Sequence, residues 1–185
     1  MSTDGNVLLA IARATIAHEF GRPQPVDDSA PWLLQPGACF VTLTREHQLR
    51  GCIGSLQAER PLLDDVRKNA LAAAFHDPRF DPLTEAEFAE IALEISLLST
   101  IEPIRFTSED DAIGQLRPHV DGVIFEYGHH RGTYLPQVWD KLGEPREFLT
   151  SLKYKAGLPP DFWDAEVKLA RYAVTSWCES GGRGD

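Results

Sequence analysis

Paired cysteines are missing from this sequence. Its three cysteines, Cys39, Cys52 and Cys178, lie far apart, with no Cys-x-x-Cys pair and no histidine at ligand spacing. That pattern suggests neither a disulfide frame nor a structural zinc site, so no metal is expected, and it reads as reduced thiols in a cytoplasmic protein. Runs of lysine or arginine are absent too. With a formal charge of -10 and a pI near 5.0, the overall field opposes attraction to phosphate backbones or anionic lipid, which disfavours nucleic acid as a partner. No apolar run approaches ~18 residues and no basic, then apolar leader opens the chain, so neither membrane spanning nor secretion is expected. Gly-x-Gly-x-x-Gly and the Walker pattern are both lacking, which removes the common phosphate cradles and leaves no cofactor to expect.

What is there suffices for one compact unit: 185 residues, 43% of them hydrophobic and 25% charged. Leu9, Ala12, Ile16 and Phe20 recur on one stripe of a helix over Thr3 to Phe20, capped by Thr3 or Asp4. Gly21 to Pro31 reads as an extended connection. Ala38 to Thr44 is rich in β-formers, and with the polar Arg45 to Gln48 stretch and the run after it makes an antiparallel hairpin. A helix follows from Pro61, at its first position, to about His76, with alanines suited to close packing. Asp77 to Pro82 breaks it, and Thr84 with Glu87 forms a capping box. Ile91 to Leu98 alternates as a strand. Ser108 caps a short helix to Leu116, then Gly122 to Tyr127 forms a strand, Gly128 to Gly132 a hairpin loop and Thr133 to Leu135 its return. Pro145 to Ala156 is helical, Val167 to Trp177 reads as a strand, and Ser180 to Asp185 as a disordered tail, with 179–185 outside the core. Helices set between groups of strands, without regular βαβ alternation, favour an α+β fold on an antiparallel or mixed sheet with flanking helices.

Gln48-Leu49-Arg50-Gly51-Cys52-Ile53-Gly54-Ser55 is the stretch that a hydrophobic core does not require. As a strand it places Leu49 and Ile53 on one face and Arg50 and Cys52 on the other. Cys52 is then a candidate nucleophile, with Arg50 stabilising its thiolate if no carboxylate claims the guanidinium first; equally, Cys52 can be a small buried hydrophobe. Gly51 and Gly54 suit a bulge or a close approach by ligand or backbone, and Ser55 follows as a ligand-facing hydroxyl. On the Pro78 and Pro82 turn, Asp77 can act as acid or base and Arg79 as an anion clamp, or they can brace the turn while Phe80 plugs the core. Glu94 and Ser96 share the polar face of their strand, and Glu94 can approach Arg50 if the two strands are neighbours. His129-His130-Arg131 can bind a metal or anion, although adjacent strand histidines point apart and a solvated hairpin tip explains them. Gln137, among aromatics in Tyr134-Leu135-Pro136-Gln137-Val138-Trp139, can line a pocket or belong to ordinary aromatic packing. Neither His47 nor His76 is tied to Cys52 by a motif.

Leu49-Arg50-Gly51-Cys52-Ile53-Gly54, the Asp77-x-Arg79-Phe80 turn, Glu94-Ile95-Ser96 and Tyr134 to Trp139 together resemble the AMMECR family, in order, from about Cys39 to Trp177. Prokaryotic members carry the label of protein A of the AmmeMemoRadiSam system. The resemblance implies a compact α+β protein of one larger and one smaller lobe, with a cleft that the cysteine motif faces. It carries over Arg50, Gly51, Cys52, Gly54, Asp77, Arg79, Phe80, Leu135 and Pro136 as motif positions, and no established reaction. It also implies partnership with a Memo-like protein, similar to non-haem iron dioxygenases, and a radical SAM protein. Three functions are thus open: an enzyme or enzyme subunit using Cys52 on a small or peptide-like substrate, a noncatalytic module binding a protein or small ligand, and a nucleic-acid-associated regulator.

Overall fold

A computed structural model describes residues 3–179, so the tail read at 180–185 lies outside them. The chain divides into two compact units, one running to Leu98 and resuming at Thr175, the other Ser99–Val174. Each has its own core and its own four-stranded sheet, where a single sheet was expected from the strand pattern.

In the larger unit, α1 (Thr3–Glu19) takes in both residues read as its cap. Next come β1 (Cys39–Arg45), β2 (Gln48–Gly54), α2 (Leu62–Phe75), α3 (Glu85–Phe88) and β3 (Ile91–Leu98). The last strand, β8 (Val174–Cys178), completes a sheet of order β2-β1-β3-β8. β2 is thus an edge strand. Pro61 stands at the N-cap of α2, one place before the position expected of it. Alternation along β1 and β3 sends Val41, Leu43, Leu93 and Ile95 into a core with Leu8, Ile11 and Ile16 of α1 and Val66 and Ala70 of α2. Each such valine, leucine or isoleucine, fully buried, contributes roughly 1.5–3 kcal/mol. Glu179, grouped with the tail by sequence, is held: its carboxylate accepts from Leu93 N at 2.9 Å and pairs with Arg13.

The smaller unit holds β4 (Glu102–Ile104), α4 (Glu109–Gln115), β5 (Gly122–Tyr127), β6 (His130–Tyr134), α5 (Pro145–Lys155) and β7 (Lys168–Tyr172), its sheet ordered β4-β7-β5-β6. The single strand read over Val167 to Trp177 is two, because Ser99 takes both the N–H and the C=O of Ala173 between them. The β5–β6 loop is also shorter than expected: Tyr127 pairs with His130, and Gly128 turns with φ +56. His129 therefore sits in the turn, and its ring centroid lies 4.3 Å from that of His130, so the two do not point apart. Trp139 stacks on Phe148 at 3.7 Å and donates from Nε1 to the Asp121 carbonyl, placing it in the core of this unit. Among the described residues no helix is long and apolar enough to cross a membrane.

Candidate functional site

The β1–β2 hairpin closes through Glu46 (φ 49) and His47 (φ 63), the two positive φ values of a type I′ turn. Four residues on, the ladder slips. Thr44 pairs with Leu49 and Leu43 with Gly51, leaving Arg50 as the extra residue of a β-bulge. The bulge reverses the alternation before it, so Leu49 and Ile53 lie on opposite faces: Ile53 packs against the core, whereas Leu49 is 44% exposed. It also turns the Arg50 side chain toward α3. There Arg50 donates from Nε to Glu87 Oε1 at 3.0 Å, and from Nη2 to Glu87 Oε2 at 3.1 Å and the Asp81 carbonyl at 3.0 Å. A carboxylate has claimed the guanidinium. Arg50, followed by the Thr84 N–H, holds Glu87 down to a pKa of about 2.

Cys52 faces away from the helices, opposite Thr42, whose hydroxyl donates to Sγ at 3.2 Å. Because β2 is an edge, the N–H and C=O of Cys52 point away from β1, and the Asp77 turn meets both. Cys52 N–H donates to Asp77 Oδ2 at 2.9 Å, and Arg79 Nη2 donates to the Cys52 carbonyl at 3.1 Å. A carboxylate and a guanidinium thus stand where the next strand's C=O and N–H would be, which protects the edge. They are themselves joined, Arg79 Nη2 and Nε reaching Asp77 at 2.6 and 2.9 Å. That pairing, more than the Cys52 N–H, keeps the buried Asp77 carboxyl well below the usual carboxylate range. Phe80 does not plug the core. Its ring lies partly exposed beside two cations, 5.9 Å from the Arg50 guanidinium and 5.5 Å from that of Arg79. Arg50, Arg79, Phe80, Asp81, Pro82 and Glu87 border a surface hollow of about 520 Å³.

The family model described as AMMECR1 matches residues 9–177. The chain belongs to the AMMECR1 family. A protein of Methanothermobacter thermautotrophicus is 38% identical over 183 residues, covering 96% of this chain and 95% of that one. One from Methanocaldococcus jannaschii is 36% identical, over 98% of this chain and 93% of its own. The crystal structure of an uncharacterized protein from Pyrococcus horikoshii superposes with a TM-score of 0.82 at 34% identity, over 98% of this chain and 94% of that one.

The other residues singled out in this AMMECR1 sequence are dispersed. A Cβ on Gly51 would lie 2.1 Å from the Ala73 carbonyl oxygen, and one on Gly54 2.2 Å from the Phe40 ring, so protein atoms occupy both close approaches. Ser55 donates to Asp65 Oδ1 at 2.7 Å, inside a network in which Asp65 also accepts from Cys39 N–H and the buried Asn69 amide. Burial, with Asp65 second, pushes the Cys39 thiol well up. Glu94 is not beside Arg50, because β1 separates the two strands; it accepts from Cys178 Sγ at 3.3 Å and from Ser96 Oγ at 3.4 Å. Gln137, exposed on a 3-10 turn (Pro136–Asp140), belongs to the smaller unit. Sequence reading missed the part played by Glu87, whose capping-box role with Thr84 is real and conceals its second role with Arg50. Thr42 carried no signal beyond its alternation with the core residues of β1.

Proposed function

We propose that this chain is a cytoplasmic, noncatalytic ligand-binding module, in which the Arg-Gly-Cys segment is a braced platform beside the hollow next to Phe80. One observation carries this reading. The charged groups of both motifs are engaged in fixing β2: Arg50 to Glu87 and the Asp81 carbonyl, Asp77 and Arg79 to each other and to the backbone of Cys52. Such bracing yields a rigid surface of set shape, which lowers the ordering cost of binding. Association with a Memo-like and a radical SAM protein is part of this proposal, and co-purification with the tagged full-length chain checks it.

A second reading, an enzyme or enzyme subunit acting through Cys52, is favoured by the Thr42 hydroxyl, since a donor aimed at Sγ stabilises a thiolate. Site-resolved alkylation of the intact protein by iodoacetamide, read by peptide mass spectrometry, separates the two. The module predicts that Cys52 reacts no faster than a small-molecule thiol at the same pH, and that Cys52→Ser restores a deletion strain as fully as the unaltered gene. Rapid alkylation together with failed rescue by Cys52→Ser would decide for the enzyme.

A further inference from the structure

Around the hollow, the guanidinium donors are only partly used. Arg50 uses Nε and both hydrogens of Nη2, and Arg79 does the same, on Asp77 and the Cys52 carbonyl. Of the five N–H groups on each guanidinium, the two on Nη1 carry no hydrogen bond among the described residues. Both side chains border the hollow, that of Arg79 53% exposed and that of Arg50 14%.

The carboxylates behind them are in the opposite condition. Glu87 Oε1 accepts from Arg50 and Arg45, and Oε2 from Arg50 and from the N–H and hydroxyl of Thr84. Asp77 Oδ1 accepts twice from Arg79, and Oδ2 from Cys52 N–H and Arg79. Four N–H donors, two on each of the guanidiniums beside the Phe80 ring, are therefore unspent, while every oxygen of the two carboxylates that hold those guanidiniums already has at least two partners. Asp81, exposed on the same border, adds one negative charge.

We infer that the hollow is a receptor for a carboxylate attached to an apolar or aromatic body, the carboxylate drawing on the unspent Nη1 hydrogens of Arg50 and Arg79 and the body resting on Phe80 and Pro82. This rests on the binding-module reading and names its ligand class. A planar monoanion matches the flat guanidinium edges, and Asp81 with the acidic chain as a whole penalises a dianion such as phosphate. The carboxylate can belong to a small organic acid or to the C-terminus of a peptide.

The test is titration of the full chain at low ionic strength with benzoate, benzamide, inorganic phosphate, and a short peptide ending in phenylalanine as free acid or amide. Benzoate is expected to bind at least about tenfold more tightly than benzamide or phosphate, the worth of one charge-assisted hydrogen bond. Arg79→Gln is expected to weaken benzoate about tenfold while circular dichroism stays that of the unaltered chain and the thermal midpoint falls by only a few degrees. Asp81→Asn, which alters none of the bracing bonds, is expected to tighten it about threefold, the effect of one exposed charge. It keeps the test alive if Arg79→Gln does not fold. If the peptide acid exceeds both its amide and benzoate about tenfold, the source is a chain terminus; if it does not exceed benzoate, the source is a small acid. Equal binding of benzoate and benzamide, preference for phosphate, or indifference to Asp81→Asn overturns the inference. That failure is separate from failure of the module, which shows as fast Cys52 alkylation with loss of rescue by Cys52→Ser.

Discussion

The two ends of β2 are held by different chemistry. At Ser55 the bonds converge on Asp65, which is fully buried, and on Asn69, 2% exposed, inside the shell of α2. At Arg50 and Cys52 they run to Glu87, Asp77 and Arg79 along the edge of the sheet, where Asp77 is buried but Arg79 stays half in water. A serine and an arginine from neighbouring motifs thus come to opposite uses. The buried end is closed to ligand, whereas the surface end leaves donors and an aromatic ring facing solvent. Position beside a cysteine is therefore a poor guide to function along this strand; what decides is whether the partner comes from under the sheet or from its edge.

The largest expected effect tests a third contact of the strand, the one Gly51 makes with α2 between Arg50 and Cys52. Gly51→Val places a branched side chain where the Ala73 carbonyl already stands, and that carbonyl is part of the backbone of α2. The helix cannot yield locally, so the loss is expected to reach roughly 3 kcal/mol or more in urea denaturation, the upper part of the range for overpacking. Gly54→Val meets only the Phe40 ring, a side chain that can rotate, and is expected to cost clearly less. Equal losses would mean that β2 moves as one piece.

An intermediate effect sets the two ends against each other directly. Asp65→Ala removes the acceptor for Cys39 N–H, Ser55 Oγ and Asn69, and leaves the Arg60 guanidinium without the carboxylate 3.6 Å away. Breaking such a buried set costs about 3 kcal/mol. Arg79→Ala removes a half-exposed partner but leaves the buried Asp77 carboxylate only the backbone N–H groups of Cys52 and residue 79, and is expected to cost about 1–2 kcal/mol. Chemical denaturation of the two variants side by side checks the difference, and the contrast fails if Arg79→Ala proves as damaging as Asp65→Ala.

Much of this arrangement was legible in the residues, and what was not has identifiable causes. The Ile91 to Leu98 strand, the Thr84 and Glu87 capping box and the Ser108 cap stand where local chemistry put them, since period and capping depend on neighbours in the chain. The bulge at Arg50 depends on the partner strand, so strict alternation put Leu49 on the wrong face. Strand order is equally non-local: whether Glu94 reached Arg50 turned on β1 lying between them. From the sequence Asp65 is simply an acidic residue in the first turn of the helix from Pro61, where the dipole favours it, because burial of a charge shows only once its partners, 10 and 26 residues away, are in place. The Asp77 turn was visible as a rigid feature, but its service as a substitute strand for Cys52 was not, since no local pattern marks which edge a turn will meet.

The smallest effect tests the surface end by pH. Glu87 has its pKa lowered from 4.5 to about 2 by Arg50 first and the Thr84 N–H second. A depressed carboxylate favours folding while it is ionised, so its contribution is complete above pH 4.5 and disappears as the pH falls through 2. At neutral pH, Glu87→Gln is expected to be less stable than the unaltered chain by about 1 kcal/mol, because the carboxylate is only partly shielded and its partner is cationic. As the pH falls from 4.5 toward 2 the unaltered chain loses that advantage and the two converge. Urea midpoints at half-unit steps of pH read this out. Convergence ties the surface end of β2 to the ionised Glu87 and Arg50 pair, whereas a constant gap would mean that packing against α3, rather than charge, holds that end in place.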